Sequence, residues 1–593
     1  MTALRLIRVL DGLALLSLFA CGAVITVITG CAAGFTPPAA ELVLMNGRVY
    51  TFAWGEPARD GTPADNAPFT AAGGWQPDAS AIAIERGTIL YVGDDAGVEA
   101  LIDDHTRVVD LGGATLLPGL VDAHTHVLNL GATLEQVDLV NVASEEEAVA
   151  RIAQRARAIP AGEWIIGYGW DDGAWADDYP DKALLTARVA NHPVLMRGLH
   201  GFAVWGNQAA LDAAGLSALT VAPSGGRIEL SEAGELTGLF LDRATELLTE
   251  AIPEPDLGQL EARYLLGFEH LARSGFTMVH EAGVDSMPLR ALENLAADGR
   301  LPLRVYAMLS ARDHDLLRRW MRWGPDTDGN DKLITRAVKA FYDGALGSRG
   351  ARLLQDYSDQ PGHRGVSGEA YGFDEELVAE MMAAGFQVNV HAIGDAGNRE
   401  TLDFFERVLA RYPEARDQRH RIEHAQVVQA GDFWRFRTLG LTASMQPAHA
   451  MEDKAWAIDR LGPERLRGAY AWRSLRNIRV ALVFSSDLPG SDHDIFYGLQ
   501  AAITRRDKQL LPAGGWFPEQ RMTAEEALRG YTSWAARAAF VEDTAGRLEA
   551  GLWADITVMS IDPLVVGSTD PDRLSQGRIL MTIVGGRIVY EAS

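Results

Sequence analysis

Cysteine is almost absent from this sequence. Two cysteines, Cys21 and Cys31, occur among 593 residues, and both lie near the N-terminus. The folded body that follows therefore has no disulfide, no cysteine nucleophile and no thiolate metal site. A metal ion bound there must be held by histidine, carboxylate or modified lysine side chains.

Positive charge is also scarce. Lysine and arginine number 54 against 80 aspartate and glutamate residues, which gives a net charge of −26. Because phosphate backbones and anionic bilayers repel such a chain, nucleic acid and membrane surfaces are excluded as its main partners. The apolar fraction of 47% is that of an ordinary globular protein. The length predicts two or three domains.

One apolar run stands out, from Leu13 to Thr29, and Arg5 and Arg8 precede it. The stretch that ends at Cys31 resembles a bacterial lipoprotein signal, with small residues before the cysteine. We predict that residues 1–35 direct export to a bacterial cell envelope and attach the chain to the membrane through its N-terminus alone. Lipidation at Cys31, an uncleaved anchor and a cleaved secretory signal remain open.

Short strand patterns occupy both ends of the chain. Glu41–Met45 precedes Asn46-Gly47, a hairpin-turn signal, and Ala554–Met559 and Ile579–Val584 have the same character. We predict that residues 40–117 and 545–593 join in one small β-sandwich. Residues 118–544 are then a domain inserted between them.

That middle region alternates strands and helices, which predicts an α/β fold, a (β/α)8 TIM barrel. An excess of residues after the first strand predicts an insertion at about 130–255, over the barrel mouth. The eight predicted strands are Gly119–His126, Thr277–Glu281, Leu303–Leu309, Ala337–Asp343, Gln387–His391, Arg421–His424, Leu441–Gln446 and Val480–Asp487.

Metal-binding side chains recur where these strands end. His124 and His126 are spaced i, i+2, so on a strand both point to the same face and suit one divalent cation. Their companions at later strands are Lys339, His391, His424 and Asp487. Barrel enzymes place their sites at the carboxyl ends of the strands, so the set predicts one metal site.

At this point the sequence resembles the amidohydrolase superfamily, and most closely the amidohydrolase-3 subgroup that includes N-substituted formamide deformylases. The resemblance covers roughly residues 41–590. The stretches that carry it are Leu117–His126, Val338–Arg349, Val390–Asp395, Arg421–Gln426, Ser444–His449 and Ser485–Asp487. The family implies a β-sandwich beside a (β/α)8 barrel.

The resemblance also implies roles for the ligand set. His124, His126 and Asp487 would hold one metal ion, and His391 and His424 a second. Lys339, carboxylated by CO2, would bridge both as a carbamate. Two Zn ions are the default, although other divalent metals and a mononuclear site with unmodified Lys339 remain open. Asp487 would take a proton from the attacking water and pass it to the leaving nitrogen.

Several residues are candidates for substrate contact. His449 follows the seventh strand, and Trp170 belongs to an aromatic group in the insertion. Phe202 stands where the subgroup usually has a histidine, so an imidazole contact to substrate is absent there. Arg349 and Arg473 are candidates for binding a substrate anion.

Together these features predict a metal-dependent amidohydrolase that hydrolyses the C–N bond of an amide, N-formyl compound or cyclic amide. Its partner is a small-molecule substrate. Two alternatives stay open: a catalytically idle relative that binds small molecules at the envelope, and an ester or carbamate hydrolase on the same scaffold. The fold alone does not set the substrate or the metal, and a homo-oligomer stays open.

Overall fold

The computed structural model of the chain describes residues 39–170, 179–199, 202–327 and 332–593. Residues 1–35, with the predicted export signal and Cys31, lie outside that range. The N-terminal strands are Leu42–Met45 (β1), Arg48–Val49 (β2), Phe69–Thr70 (β3), Gly74–Trp75 (β4), Ala81–Glu85 (β5), Thr88–Gly93 (β6), Arg107–Asp110 (β7) and Thr115–Pro118 (β8), with helix Asp95–Glu99 (α1) between β6 and β7.

The first barrel strand, Leu120–Thr125 (β9), is followed by helix Val127–Glu135 (α2) and then by the insertion. The insertion contains strands Val137–Asp138 (β10), Ile165–Trp170 (β11), Val194–Gly198 (β12), Ala203–Gly206 (β13), Gly226–Leu230 (β14) and Leu236–Asp242 (β15). Its helices are Glu145–Ala156 (α3), Lys182–Arg188 (α4), Gln208–Ala213 (α5) and Glu246–Thr249 (α6). The strands form one six-stranded sheet in the order β10-β11-β12-β13-β15-β14.

The remaining barrel strands are Phe276–Val284 (β16), Arg304–Ser310 (β17), Leu333–Phe341 (β18), Gln387–Ala392 (β19), Arg421–His424 (β20), Thr442–Met445 (β21) and Ala481–Phe484 (β22). The helices of this part are Leu257–Arg273 (α7), Ser286–Ala297 (α8), His314–Trp323 (α9), Glu375–Ala383 (α10), Asp395–Arg411 (α11), Phe433–Leu439 (α12), Pro447–Asp453 (α13), Ala457–Arg465 (α14), Trp472–Asn477 (α15), Ile495–Thr504 (α16), Ala524–Gly530 (α17) and Ser533–Ala538 (α18).

The eight barrel strands form one parallel sheet in the order β22-β21-β20-β19-β18-β17-β16-β9. The two outer strands meet through the loop after β22, where the Asp487 backbone N–H donates to the carbonyl of His124 at 3.0 Å. The predicted barrel is therefore confirmed, with a strand at each of the eight predicted places. The last strand ends at Phe484, so Asp487 lies in the following loop rather than on the strand.

Both chain ends contribute strands to two further sheets that pack together. The C-terminal strands Ile556–Met559 (β23), Ile579–Val584 (β24) and Arg587–Glu591 (β25) join β2 and β8 in a five-stranded sheet, and helix Pro563–Thr569 (α19) follows β23. A four-stranded sheet, β6-β5-β1-β7, shares one apolar core with it. Leu44 and Ile82 from one sheet pack in that core with Leu116 and Ile556 from the other. This is the predicted β-sandwich.

The predicted hairpin at Asn46-Gly47 is wrong. Asn46 adopts the expected left-handed backbone, with φ of 56°. However, β1 pairs with β5 and β7, whereas β2 pairs with β8 in the other sheet. The turn therefore carries the chain from one sheet to the other, because the burial demanded by each strand overrides the local hairpin preference.

The insertion has its own hydrophobic cores. Trp170 and Trp205 are buried there, which explains why this stretch is rich in aromatics. Across the part of the chain that the structure describes, no helix combines the length and apolarity needed to cross a bilayer.

Candidate metal centre

The six predicted ligands converge at the carboxyl end of the barrel. His124 lies on β9, Lys339 on β18, His391 on β19 and His424 at the end of β20, while His126 and Asp487 follow β9 and β22. The His124 ring is 5.4 Å from that of His126 and 5.1 Å from that of His424, and the His391 and His424 rings are 4.5 Å apart. Residues separated by more than 350 positions thus share one small volume, since parallel strands bring their ends together.

Asp487 is the carboxylate at the centre of this group. Its Oδ1 lies 3.2 Å from His126 Nε2 and 3.6 Å from His124 Nε2. One atom from each of these three side chains falls within 4.8 Å of the others, a spread that suits one cation. His424, His449 and Asp487 form a second such group. His449 therefore joins the cluster, and its ring stacks 6.1 Å from that of His424.

His124 is held in one orientation by a buried carboxylate. Its Nδ1 lies 2.6 Å from Glu423 Oε2, so Nδ1 carries the proton and Nε2 keeps its lone pair. That lone pair faces Lys339 Nζ at 3.2 Å and the Asp487 carboxylate. A lone pair and a carboxylate oxygen that face each other fit a shared divalent cation.

Burial sets the protonation of the cluster. It lowers the pKa of His124 to about 4 and that of His424 to about 3, and it holds the pKa of His391 well below the ordinary value. Burial raises the pKa of Asp487, but its interactions with His124, His126 and His424 outweigh burial, so the pKa lies well below normal. At neutral pH His124, His391 and His424 are therefore neutral imidazoles and Asp487 is an ionised carboxylate, the forms that bind metals.

Lys339 is the unusual member of the set. It is 1% exposed, and burial lowers the pKa of its amine to about 8. Roughly a tenth of Lys339 is therefore the neutral amine at pH 7, far more than for an ordinary lysine, and the neutral amine is the form that reacts with CO2.

The backbone around Asp487 is strained and well anchored. His424 and Asp487 have φ of 73° and 62°, in the left-handed region that non-glycine residues seldom adopt. Asp122 accepts hydrogen bonds from the Ser486 backbone N–H at 3.0 Å and from its hydroxyl at 2.6 Å. Such strain is retained at functional sites when the surroundings determine it.

The family of the chain follows from comparisons with known proteins. The sequence pattern of the amidohydrolase family matches residues 107–590. This chain belongs to the amidohydrolase family. The resemblance noted in the sequence is thereby confirmed, and the curated relatives include both an amidohydrolase and a formamide deformylase.

Three proteins show how similar this amidohydrolase is to known proteins in sequence and in structure. The putative amidohydrolase YtcJ of Bacillus subtilis is 30% identical over 524 residues, which are 86% of this chain and 96% of YtcJ. The N-substituted formamide deformylase of Arthrobacter pascens is 26% identical over 527 residues, 86% of this chain and 95% of that enzyme. The crystal structure of an uncharacterized metal-dependent hydrolase from Pyrococcus furiosus superposes with a TM-score of 0.69 at 28% identity, covering 88% of this chain and 99% of the other.

Other candidate residues of this amidohydrolase lie elsewhere. Trp170 is 1% exposed and donates its indole N–H to the Met196 carbonyl inside the insertion core. Phe202, in contrast, is 70% exposed. Arg349 pairs with Asp359 at 2.8 Å, and Arg473 donates to Glu526 at 2.9 Å. Because carboxylates already occupy both guanidinium groups, neither arginine is placed to bind a substrate anion.

Sequence reasoning missed Glu423. It is fully buried between His124 and Arg421, whose Nε lies 2.7 Å from Glu423 Oε1. Arg421 in turn donates to the Ala123 carbonyl at 2.6 Å, beside His124. The signal was present in the stretch Arg421-Ile422-Glu423-His424, because two opposite charges at i and i+2 point to the same face of a predicted barrel strand.

We expect Glu423→Gln to weaken metal binding about 10- to 100-fold, because His124 loses the carboxylate that orients its ring. It leaves Arg421 buried and unpaired, which costs about 3–5 kcal/mol of unfolding free energy. Metal titration and urea unfolding measure the two effects. Glu542→Gln is the control, since its pair with Arg419 is partly exposed and is worth less than about 1 kcal/mol. Equal behaviour of the two variants would contradict this role for Glu423.

Proposed function

We propose that this amidohydrolase cleaves the C–N bond of an amide, N-formyl compound or cyclic amide, in a metal-dependent reaction with water. One observation carries the proposal: the ionised Asp487 carboxylate sits 3.2 Å from His126 and within reach of His124, His424 and His449. The metal dependence named for the Pyrococcus furiosus hydrolase supports the same reading.

His124, His126, Asp487, His391 and His424 are the side chains that would hold divalent metal, with zinc as the default for nitrogen and oxygen ligands. When bound, the metal lowers the pKa of water towards neutrality and polarises a carbonyl group. The unpartnered Nε2 of His391 fits this proposal, because it is buried and no side chain or backbone group in the described ranges hydrogen-bonds to it.

Lys339, once carboxylated, would supply a further anionic ligand for the metal. Its neutral amine adds to CO2, forming a new N–C bond, and loses one proton to leave a carbamate anion. The lowered pKa of Lys339, caused by burial, supports this step because it supplies the neutral amine.

Asp487 performs the proton transfers. Its carboxylate accepts a proton from the attacking water and later gives it to the leaving nitrogen, so the amine departs in neutral form. Glu423 keeps the His124 ring in place throughout, and His449 lies at the edge of the same group, where it contacts the bound substrate.

A screen of N-formyl and N-acyl compounds tests the proposal. Protein purified with divalent metal is expected to release amine from one of these classes, and a chelator is expected to abolish the reaction until metal is restored. Elemental analysis of the same preparation is expected to find stoichiometric metal. If the protein hydrolysed only esters, the scissile bond would be an ester and not a C–N bond. Full activity of metal-free protein would overturn the proposed metal dependence.

A further inference from the structure

Arg312 lies close to the metal centre, and its guanidinium contacts two aromatic rings. It follows β17, the third barrel strand, at the same end of the barrel as the candidate ligands. The side chain is exposed at the surface. Its Cζ lies 4.3 Å from the centre of the Phe341 ring and 6.0 Å from that of Tyr371. Within the described ranges, no carboxylate is found in an ion pair with this guanidinium.

Phe341 links Arg312 to the metal centre. The Lys339 amine lies 4.4 Å from the centre of the same ring, and the His391 ring lies 5.7 Å from it. Phe341 is two residues beyond Lys339 on β18 and pairs in register with His391. A single aromatic ring therefore separates Arg312 from the proposed reaction site.

The contacts of Arg312 leave its hydrogen-bonding edge free. In a stacked cation–π contact the face of the guanidinium meets the ring, and the N–H donors in its plane stay available to a ligand. Those donors match a carboxylate bidentately, and the aromatic rings fix the fork before a ligand arrives. Arg349 and Arg421, by comparison, are already engaged by Asp359 and Glu423.

The negative net charge of the chain bears on which substrates a positive residue near the site would favour. A protein with a net charge of −26 repels anionic small molecules at long range. The positive charge of Arg312, next to the reaction site, attracts an anionic group at short range and therefore favours an anionic substrate over a neutral one.

We propose that Arg312 binds a carboxylate of the substrate, so that the substrate class is an N-acyl, N-formyl or cyclic amide that carries an anionic group. Arg312 then determines specificity and takes no part in the bond cleavage. This inference rests on the proposed hydrolytic function.

The test compares two substrates with the same scissile bond, N-formylphenylalanine and its neutral carboxamide. Wild-type protein is expected to prefer the carboxylate. Arg312→Gln is expected to raise KM for the carboxylate about 10- to 100-fold, because a charge-assisted pair of hydrogen bonds is lost. The value of kcat is expected to change little. The carboxamide is expected to be hydrolysed as before. Arg312→Lys, which keeps the charge but loses the fork, is expected to fall between the two.

Arg318→Gln is the matched control. Arg318 lies on α9, the helix that follows Arg312, and its Nη1 is 3.9 Å from Asp315 on an exposed surface. Removing its charge is expected to leave both KM values unchanged. An equal effect of Arg312→Gln on both substrates would mean a structural role and would overturn the proposal. An equal effect of Arg318→Gln would also overturn it, because long-range charge alone would then suffice.

A binding measurement separates this inference from the proposed function. If neither compound is hydrolysed, the hydrolytic assignment fails for this class, and calorimetry with N-formylphenylalanine still tests Arg312. Tighter binding of the carboxylate by wild type than by Arg312→Gln supports the anion site. Equal affinities, or no binding by either protein, overturn it.

Discussion

Asp487→Asn is expected to lower kcat by about 10²- to 10⁴-fold, the contribution of a positioned general acid–base group. The asparagine amide has nearly the same shape as the carboxylate, so the loop is preserved. However, the amide cannot accept the water's proton, and it is a poorer partner for the imidazoles of His124 and His126. Steady-state kinetics with an amide substrate, at measured metal content, gives the value.

Asp492→Asn is the control for this variant. Asp492 lies in the same loop as Asp487 but forms an ion pair with Lys508 away from the histidine cluster. We expect its kcat to stay within about twofold of wild type, because partly exposed ion pairs contribute little. If Asp487→Asn kept activity within about tenfold of wild type, Asp487 would not be the general base.

Lys339→Ala is expected to remove most of the activity and to lower the metal content of the purified protein. The reason is that the proposed carbamate supplies a shared anionic ligand, which alanine cannot form. We expect kcat to fall by about 10²-fold or more, since metal-centred charge stabilisation is worth several kcal/mol. Elemental analysis and kinetics on the same sample measure both effects.

Chemical rescue separates the carbamate from a simple lysine. Acetate or propionate is expected to restore part of the metal content and activity of Lys339→Ala, because a small carboxylate has the shape and charge of the missing carbamate. Wild-type protein exposed to 13C-labelled CO2 is expected to show a carbamate NMR resonance that the variant lacks. Lys454→Ala, which removes a lysine paired with Asp507, is the control and should lose neither metal nor activity. Unchanged metal content in Lys339→Ala would contradict a bridging role.

The barrel and its ligand set were predictable because their signals are local. An apolar run followed by a histidine, lysine or aspartate recurs at each of the relevant strands, and parallel strands must bring such ends together. The i, i+2 spacing of His124 and His126 likewise predicts that their rings lie close, and the two ring centres are 5.4 Å apart.

The residues around those ligands were harder to predict. Glu423 hydrogen-bonds to His124, which is 299 positions away in the sequence. Neither local stretch contains a signal that predicts this pairing. Trp170 was a candidate for substrate contact, but its side chain points into the core of the insertion. Burial of its large apolar ring there is favourable. Arg349 and Arg473 looked available for a substrate anion, yet Asp359 and Glu526 neutralise them.

The sequence by itself determined the barrel and its six candidate metal ligands, because strand periodicity and the residues at strand ends are properties of short segments. The resemblance of its motifs to the amidohydrolases added the family. Only the tertiary structure decided which side chains are paired. It showed that Glu423 lies behind His124, that Asn46 leads from one sheet to another rather than into a hairpin, and that Arg312 lies over the ring of Phe341. The physical reason is that pairing and burial depend on which distant segments pack together, and that choice is made by the whole chain.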